Sequence, residues 1–142
     1  MINARRLGAL IGTALTFAVL VPATAGEAVA ASPVRISSVQ YDSPGSDTGT
    51  NYSRNAEWVR ITNYSSTKRS LSGWTLRDAQ NHVYRFGTFS LGAGKSVRVH
   101  TGRGTNTSTD RYWGSSWYVW NNTNDKAILK NSNGTTVSSR SW

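Results

Sequence analysis

The chain has 142 residues and a formal net charge of +9, from 16 Lys and Arg against 7 Asp and Glu. That length holds one domain with a single modest core. There is no cysteine, which excludes a disulfide framework and a thiolate metal site, so packing of the 6 Trp, 6 Tyr and 3 Phe must hold the fold together.

The first segment reads as a leader. Arg5 and Arg6 form a short basic region, Leu7 to Val21 is almost wholly apolar, and Ala28-Val29-Ala30 is a small-x-small cleavage pattern. That is the layout of a secretory signal peptide over residues 1–31. The apolar run is too short for the roughly 20 residues a membrane span needs, and Gly8, Gly12 and Pro22 interrupt it or bound it. Cleavage near Ala30 or Ala31 removes Arg5, Arg6 and Glu27 and leaves a secreted domain, residues 32–142, with 14 bases against 6 acids. No transmembrane segment is expected in that domain.

Val34 to Tyr41 reads as a first strand. Asp42 to Asn51 is a loop of Pro, Gly and Asx residues. Glu57 to Asn63 alternates, with Val59 and Ile61 on one face and Arg60 and Thr62 on the other; Trp58 shares the Arg60 face, which is then not fully solvated. Trp74 to Asp78 and Val83 to Phe86 form an antiparallel pair across Ala79 to His82. Leu91 to Lys95 is a turn feeding Ser96 to Thr101, where Val97 and Val99 point in while Arg98 and His100 point out. Residues 102–110 read as a long flexible loop, and residues 111–122 as an aromatic, irregular stretch. A final hairpin crosses Asn133-Gly134, a dipeptide suited to a type I′ turn. Helical periodicity is absent after residue 32, so the domain is expected to be all-β, a sandwich of about seven to nine short strands. Trp58, Trp120 and Leu129 join the four inward residues of the expected core.

With these elements placed, the chain resembles the lamin-tail domain family. The matching motifs are Glu57-Trp58-Val59-Arg60-Ile61-Thr62-Asn63, Leu71-Ser72-Gly73-Trp74-Thr75-Leu76-Arg77-Asp78 and Tyr84-Arg85-Phe86. Leu91-Gly92-Ala93-Gly94, Gly102-Arg103-Gly104 and Trp120-Asn121-Asn122 ahead of Asp125 to Leu129 follow in order. The resemblance implies an immunoglobulin-like β-sandwich of two antiparallel sheets that is not itself an enzyme and uses no cofactor. It implies core positions for Leu71, Trp74 and Phe86, and bends at Gly73 and Gly94. Asn121 and Asn122 are implied to brace the last hairpin through their side chains.

The residues themselves offer no catalytic set. His82 lies in a turn and His100 on an outward strand face, both expected in solvent, and no Gly-x-Ser-x-Gly elbow or His-x-x-x-His pair occurs. Asp42, Asp47 and Glu57, with Asn51 and Asn55, bring oxygen ligands together of the kind calcium takes, but without EF-hand spacing. The alternative is an Asx-rich turn with Glu57 paired to Arg60 or Arg85. Tyr112 to Trp120 packs six large rings or apolar groups into one run, more than so small a core can take. Trp120 and one of Trp113 and Trp117 are expected inside, and the remaining rings, with Tyr118, outside as a stacking surface.

Arg103, Arg111 and Lys126, among the scattered basic residues, complete the expected contact set. A basic domain attracts anionic polymers by long-range electrostatics and counterion release. The reading that follows is a non-enzymatic interaction module at the cell envelope, contacting an anionic envelope polymer, polysaccharide or extracellular nucleic acid. A carbohydrate-binding module, and a scaffold adding a protein partner to a sheet edge, remain as alternatives.

Overall fold

The computed structural model describes residues 31–142; the predicted leader, apart from Ala31, lies outside the described residues. The chain forms β1 (Val34–Gln40), α1 (Asn51–Asn55), β2 (Trp58–Asn63), β3 (Arg69–Ser70), β4 (Thr75–Arg77), β5 (Val83–Arg85), β6 (Ser90–Leu91), β7 (Ser96–His100), β8 (Asp110–Tyr112), β9 (Lys126–Lys130) and β10 (Thr136–Ser141). One sheet has the order β1-β2-β7-β8, the second β10-β9-β4-β5, and β3 pairs with β6 in a small ribbon. No helix among the described residues is long and apolar enough to cross a membrane.

Alternation makes the first sheet. Val59 and Ile61 on β2 and Val97 and Val99 on β7 are buried, paired directly as Val59↔Val99 and Ile61↔Val97. They meet Leu76, Ala127 and Leu129 of the second sheet, with Leu71, Phe86, Phe89 and Leu91 filling one end. Asn63 shares the inward parity of Val59 and is fully buried, so its amide must be satisfied. It donates to the carbonyls of Thr67, Leu91 and Gly92 at 2.8, 3.0 and 3.1 Å and accepts from the backbone and hydroxyl of Ser65. One side chain thus ties two turns to the end of β2.

Several expectations are corrected. The first sheet is not wholly antiparallel: β8 runs parallel to β7, with Arg98 opposite Asp110 and His100 opposite Tyr112. The return segment that makes this possible is anchored. Asn51 and Asn55 of α1 both donate to the Arg103 carbonyl, at 3.0 and 2.9 Å, and Asn51 accepts from the Arg103 N–H at 2.8 Å. A Cβ on Gly102 would stand 2.5 Å from the amide oxygens of both asparagines, so a larger residue there would have to push the two amides aside. The helix itself is a single turn started by Thr50, whose hydroxyl accepts from Ser53 N.

The last hairpin is not type I′. Gly134 has φ +80, but Asn133 does not take a positive φ. Asn131 accepts from the N–H groups of Asn133 and Thr135, and Gly134 N donates to the Asn131 carbonyl. This is a tight turn closed by a left-handed glycine. Trp58 is not core: parity puts it on the outer face, where the Arg98 guanidinium covers its ring at 4.4 Å. Trp74 is half-buried against the core rather than inside it.

In place of disulfides the domain has a file of rings. Phe89 stacks on Phe86, Phe86 meets Tyr84 edge-on at 5.0 Å, and Tyr84 leads to Trp113 at 5.9 Å. Trp113 packs on Trp120 and Trp120 on Trp142, each at 5.8 Å, and Trp142 stacks on Tyr41 at 4.6 Å and 6°. The file runs past both sheets and clamps the C-terminus, where Trp142 Nε1 donates to the Asn121 carbonyl.

Candidate functional site

The aromatic run ends over α1 and the Asp42 to Asn51 loop. Tyr118 is half-buried, and its hydroxyl bonds Ser53 Oγ at 2.6 Å and accepts from Gly49 N at 3.1 Å. It bolts the run to the helix and is not a freely presented ring. Trp117 meets Tyr118 edge-on at 5.3 Å and remains 63% exposed. It is the one Trp that stands out in solvent, because Ser115 accepts from Trp117 N and donates to Trp117 O, turning the chain outward. A shallow cleft of about 470 Å³ lies beside it, lined by Asp47, Trp117, Tyr118, Trp120, Asn121, Asn122 and Thr123. One flat ring with carboxylate, amide and hydroxyl groups around it is the composition that receives an uncharged sugar.

The other expected contact residues do not converge there. Trp113 is inside the file of rings, half-buried between Tyr84 and Trp120. Arg111 lies over the Phe89 ring at 4.2 Å with its Nε buried and without a partner, so it is a packing residue rather than an outward cation. Arg103 and Lys126 are exposed, but neither lines the cleft. Asn121 and Asn122 do not brace the last hairpin. That work falls to buried Asp125, whose carboxylate accepts from the N–H groups of Ala79, Asn121 and Lys126.

The acidic candidates separate too. Among the described residues no three His, Cys, Asp or Glu side chains are grouped as metal ligands are. Asp42 and Asp47 are exposed, while Glu57 is turned inward with 1% exposure. Glu57 pairs with neither Arg60 nor Arg85. Arg60 donates to Ser38, and Arg85 to the Gly73 carbonyl. Glu57 Oε2 instead accepts from Thr101 Oγ1 at 2.8 Å and Val119 N at 3.3 Å. Burial pushes its carboxyl up to about 7, against those hydrogen bonds.

His100 is not solvated. Its side chain is 13% exposed, bonded to the Asn55 carbonyl at 2.8 Å and Asp110 Oδ1 at 2.7 Å, and stacked on Tyr112 at 5.0 Å. The Thr109 hydroxyl and His100 hold the Asp110 carboxyl below its ordinary value. With both ring nitrogens engaged, His100 is a brace. His82 is exposed and bonds the buried Asp78 at 2.6 Å, with no hydroxyl among its hydrogen-bond partners.

The acids are therefore spent on backbone, hydroxyl and imidazole groups or stand alone. Among the described residues the only contacts within 4.0 Å between a carboxylate and a basic side chain are these two His–Asp hydrogen bonds, and no Lys or Arg there comes that close to a carboxylate.

An immunoglobulin-like β-sandwich with a basic, unpaired surface is the class of protein these features define. The family model described as Lamin Tail Domain matches residues 27–142, and the chain belongs to that family, whose domain is immunoglobulin-like and not catalytic. No curated protein matches the chain.

Proposed function

We propose that this protein is an exported, non-enzymatic interaction module that holds to an anionic polymer of the cell envelope through its unpaired cations. One observation carries the reading: the 14 Lys and Arg of residues 31–142 lack carboxylate partners within the domain. A surface whose charges are not neutralised internally gains by releasing counterions from a polyanion. The leader-like composition of residues 1–31 supports export. The edge strands β5 and β8 are three residues long, and the longer edges β1 and β10 are tied to each other, Ile36 N donating to Ser138 Oγ and Arg140 to the Ser37 carbonyl, so addition of a partner strand is the less favoured mode.

The test is co-sedimentation of the purified protein with isolated envelope material at low and high salt. Pelleting at about 50 mM salt and release at about 500 mM is the expected result. A protein that stays in solution at both overturns the reading.

Trp117 and its cleft favour a second reading, contact with neutral glycan. Under it, pelleting survives high salt, and Trp117→Ala abolishes the surviving fraction while shifting stability by less than about 1 kcal/mol. If the high-salt fraction is absent, or unchanged in Trp117→Ala, the glycan reading is wrong.

A further inference from the structure

The outer face of the second sheet gathers cations that lie far apart in the chain. Register sets Arg85 of β5 and Lys130 of β9 on either side of Thr75, and Val83 and Ile128 on either side of Arg77. Neighbouring strands are about 4.8 Å apart, so Arg85 and Lys130 stand roughly 10 Å apart across β4, with Arg77 about 7 Å along it. Between them is a groove of about 300 Å³, rimmed by Asn81, Asn131 and Ser132. No acidic residue lines it, and no aromatic ring does.

Three like charges without a counter-ion work against the folded sheet. Arg85 is nonetheless held in place, its Nη1 donating to the Gly73 carbonyl at 3.1 Å. The Arg77 Nε is shut off from solvent and has no partner. Such an arrangement becomes favourable once an oxyanion sits among the three. Arg60 and Arg98 on the first sheet also face each other, but Asp110 lies beside Arg98 and Arg98 covers Trp58.

We infer that this groove is a binding site for a backbone phosphate of a linear polyanion, an assignment that rests on the polyanion reading above and names its site. A planar carboxylate is served by one guanidinium fork. A tetrahedral phosphate points its oxygens apart and takes donors arriving from three strands. With no ring to stack on, neither nucleobases nor sugar faces are read here. Lys126, two residues before Ile128 on β9 and so on the same face, continues the charge beyond the groove and gives a chain a direction to follow.

Binding of the purified protein to linear polyphosphate, with polyglutamate as the carboxylate comparison, tests this across a salt series. The variants are Arg77→Gln/Arg85→Gln/Lys130→Gln and, with equal charge removed from the other face, Arg35→Gln/Arg60→Gln/Arg98→Gln. The groove variant is expected to lose about tenfold or more in polyphosphate affinity and to flatten the log–log salt slope by about 2. The opposite-face variant should lose roughly threefold or less. Lys130→Gln alone, least able to disturb folding, should lower affinity in the same direction. Equal losses in the two triple variants overturn the groove while leaving polyanion binding standing. Tighter binding to polyglutamate overturns the phosphate assignment. If neither polymer binds at low salt, the groove and the reading beneath it both fail.

Discussion

Trp120→Ala is expected to lower the unfolding free energy by about 3–5 kcal/mol. The indole is 3% exposed and sits in the middle of the file, edge-on to Trp113 at 86° and to Trp142 at 63°. Its removal leaves a cavity and separates Trp113 from the ring that clamps the C-terminus. A chain without cysteine has no covalent link to limit the damage. In urea denaturation followed by near-UV circular dichroism, the loss should appear with a thermal midpoint lower by roughly 15 °C or more. Trp120→Phe should cost less than half as much. Trp120 Nε1 is buried without a hydrogen-bond partner, and phenylalanine removes that unsatisfied donor along with part of the ring. The comparison with Trp117→Ala makes the test strict. Equal losses from exposed Trp117 and buried Trp120 would mean that the file of rings does not hold the sandwich.

The sandwich was legible because alternation is local. Val59, Ile61, Val97 and Val99 announce their face within a few residues, and the ordered motifs from Glu57 to Leu129 carried the family. The same parity also governs Glu57 and Trp58. Glu57 is two residues before Val59 and points inward with it, away from both a calcium-type cluster with Asp42 and Asp47 and an ion pair with Arg60 or Arg85. Trp58, expected in the core as a large aromatic, follows the opposite parity onto the outer face. α1 is five residues long, too short to show a 3.6-residue period. His100 points away from the core as expected but is covered by β8, which arrives parallel after the segment clasped by Asn51 and Asn55. The groove was invisible for the same reason. Arg77, Arg85 and Lys130 meet through strand register, and no spacing along the chain encodes that.

Glu57 should give the domain a pH dependence opposite in sign to that of an ordinary surface acid. Its folded carboxyl is raised from 4.5 to about 7 by burial, so the folded state holds the proton more tightly than the unfolded chain. The stabilisation is complete below pH 4.5, declines as pH rises, and is gone above about 7, a change of about 3 kcal/mol from this group. Asp110 is shifted the other way, so its contribution is lost only on the acid side. Glu57→Gln isolates the effect, since the amide oxygen can still accept from Thr101 and Val119. Relative to that variant, the wild-type unfolding free energy should fall steadily between pH 4.5 and 7. A difference that stays flat across this window would show that Glu57 does not keep its proton on folding. The change should also be visible locally. Glu57 bonds Thr101 at the end of β7 and Val119 beside Trp120. Charging it therefore puts an ion under the segment that presents Trp117, and tryptophan fluorescence of the folded protein should move around pH 7, where the folded carboxyl loses its proton.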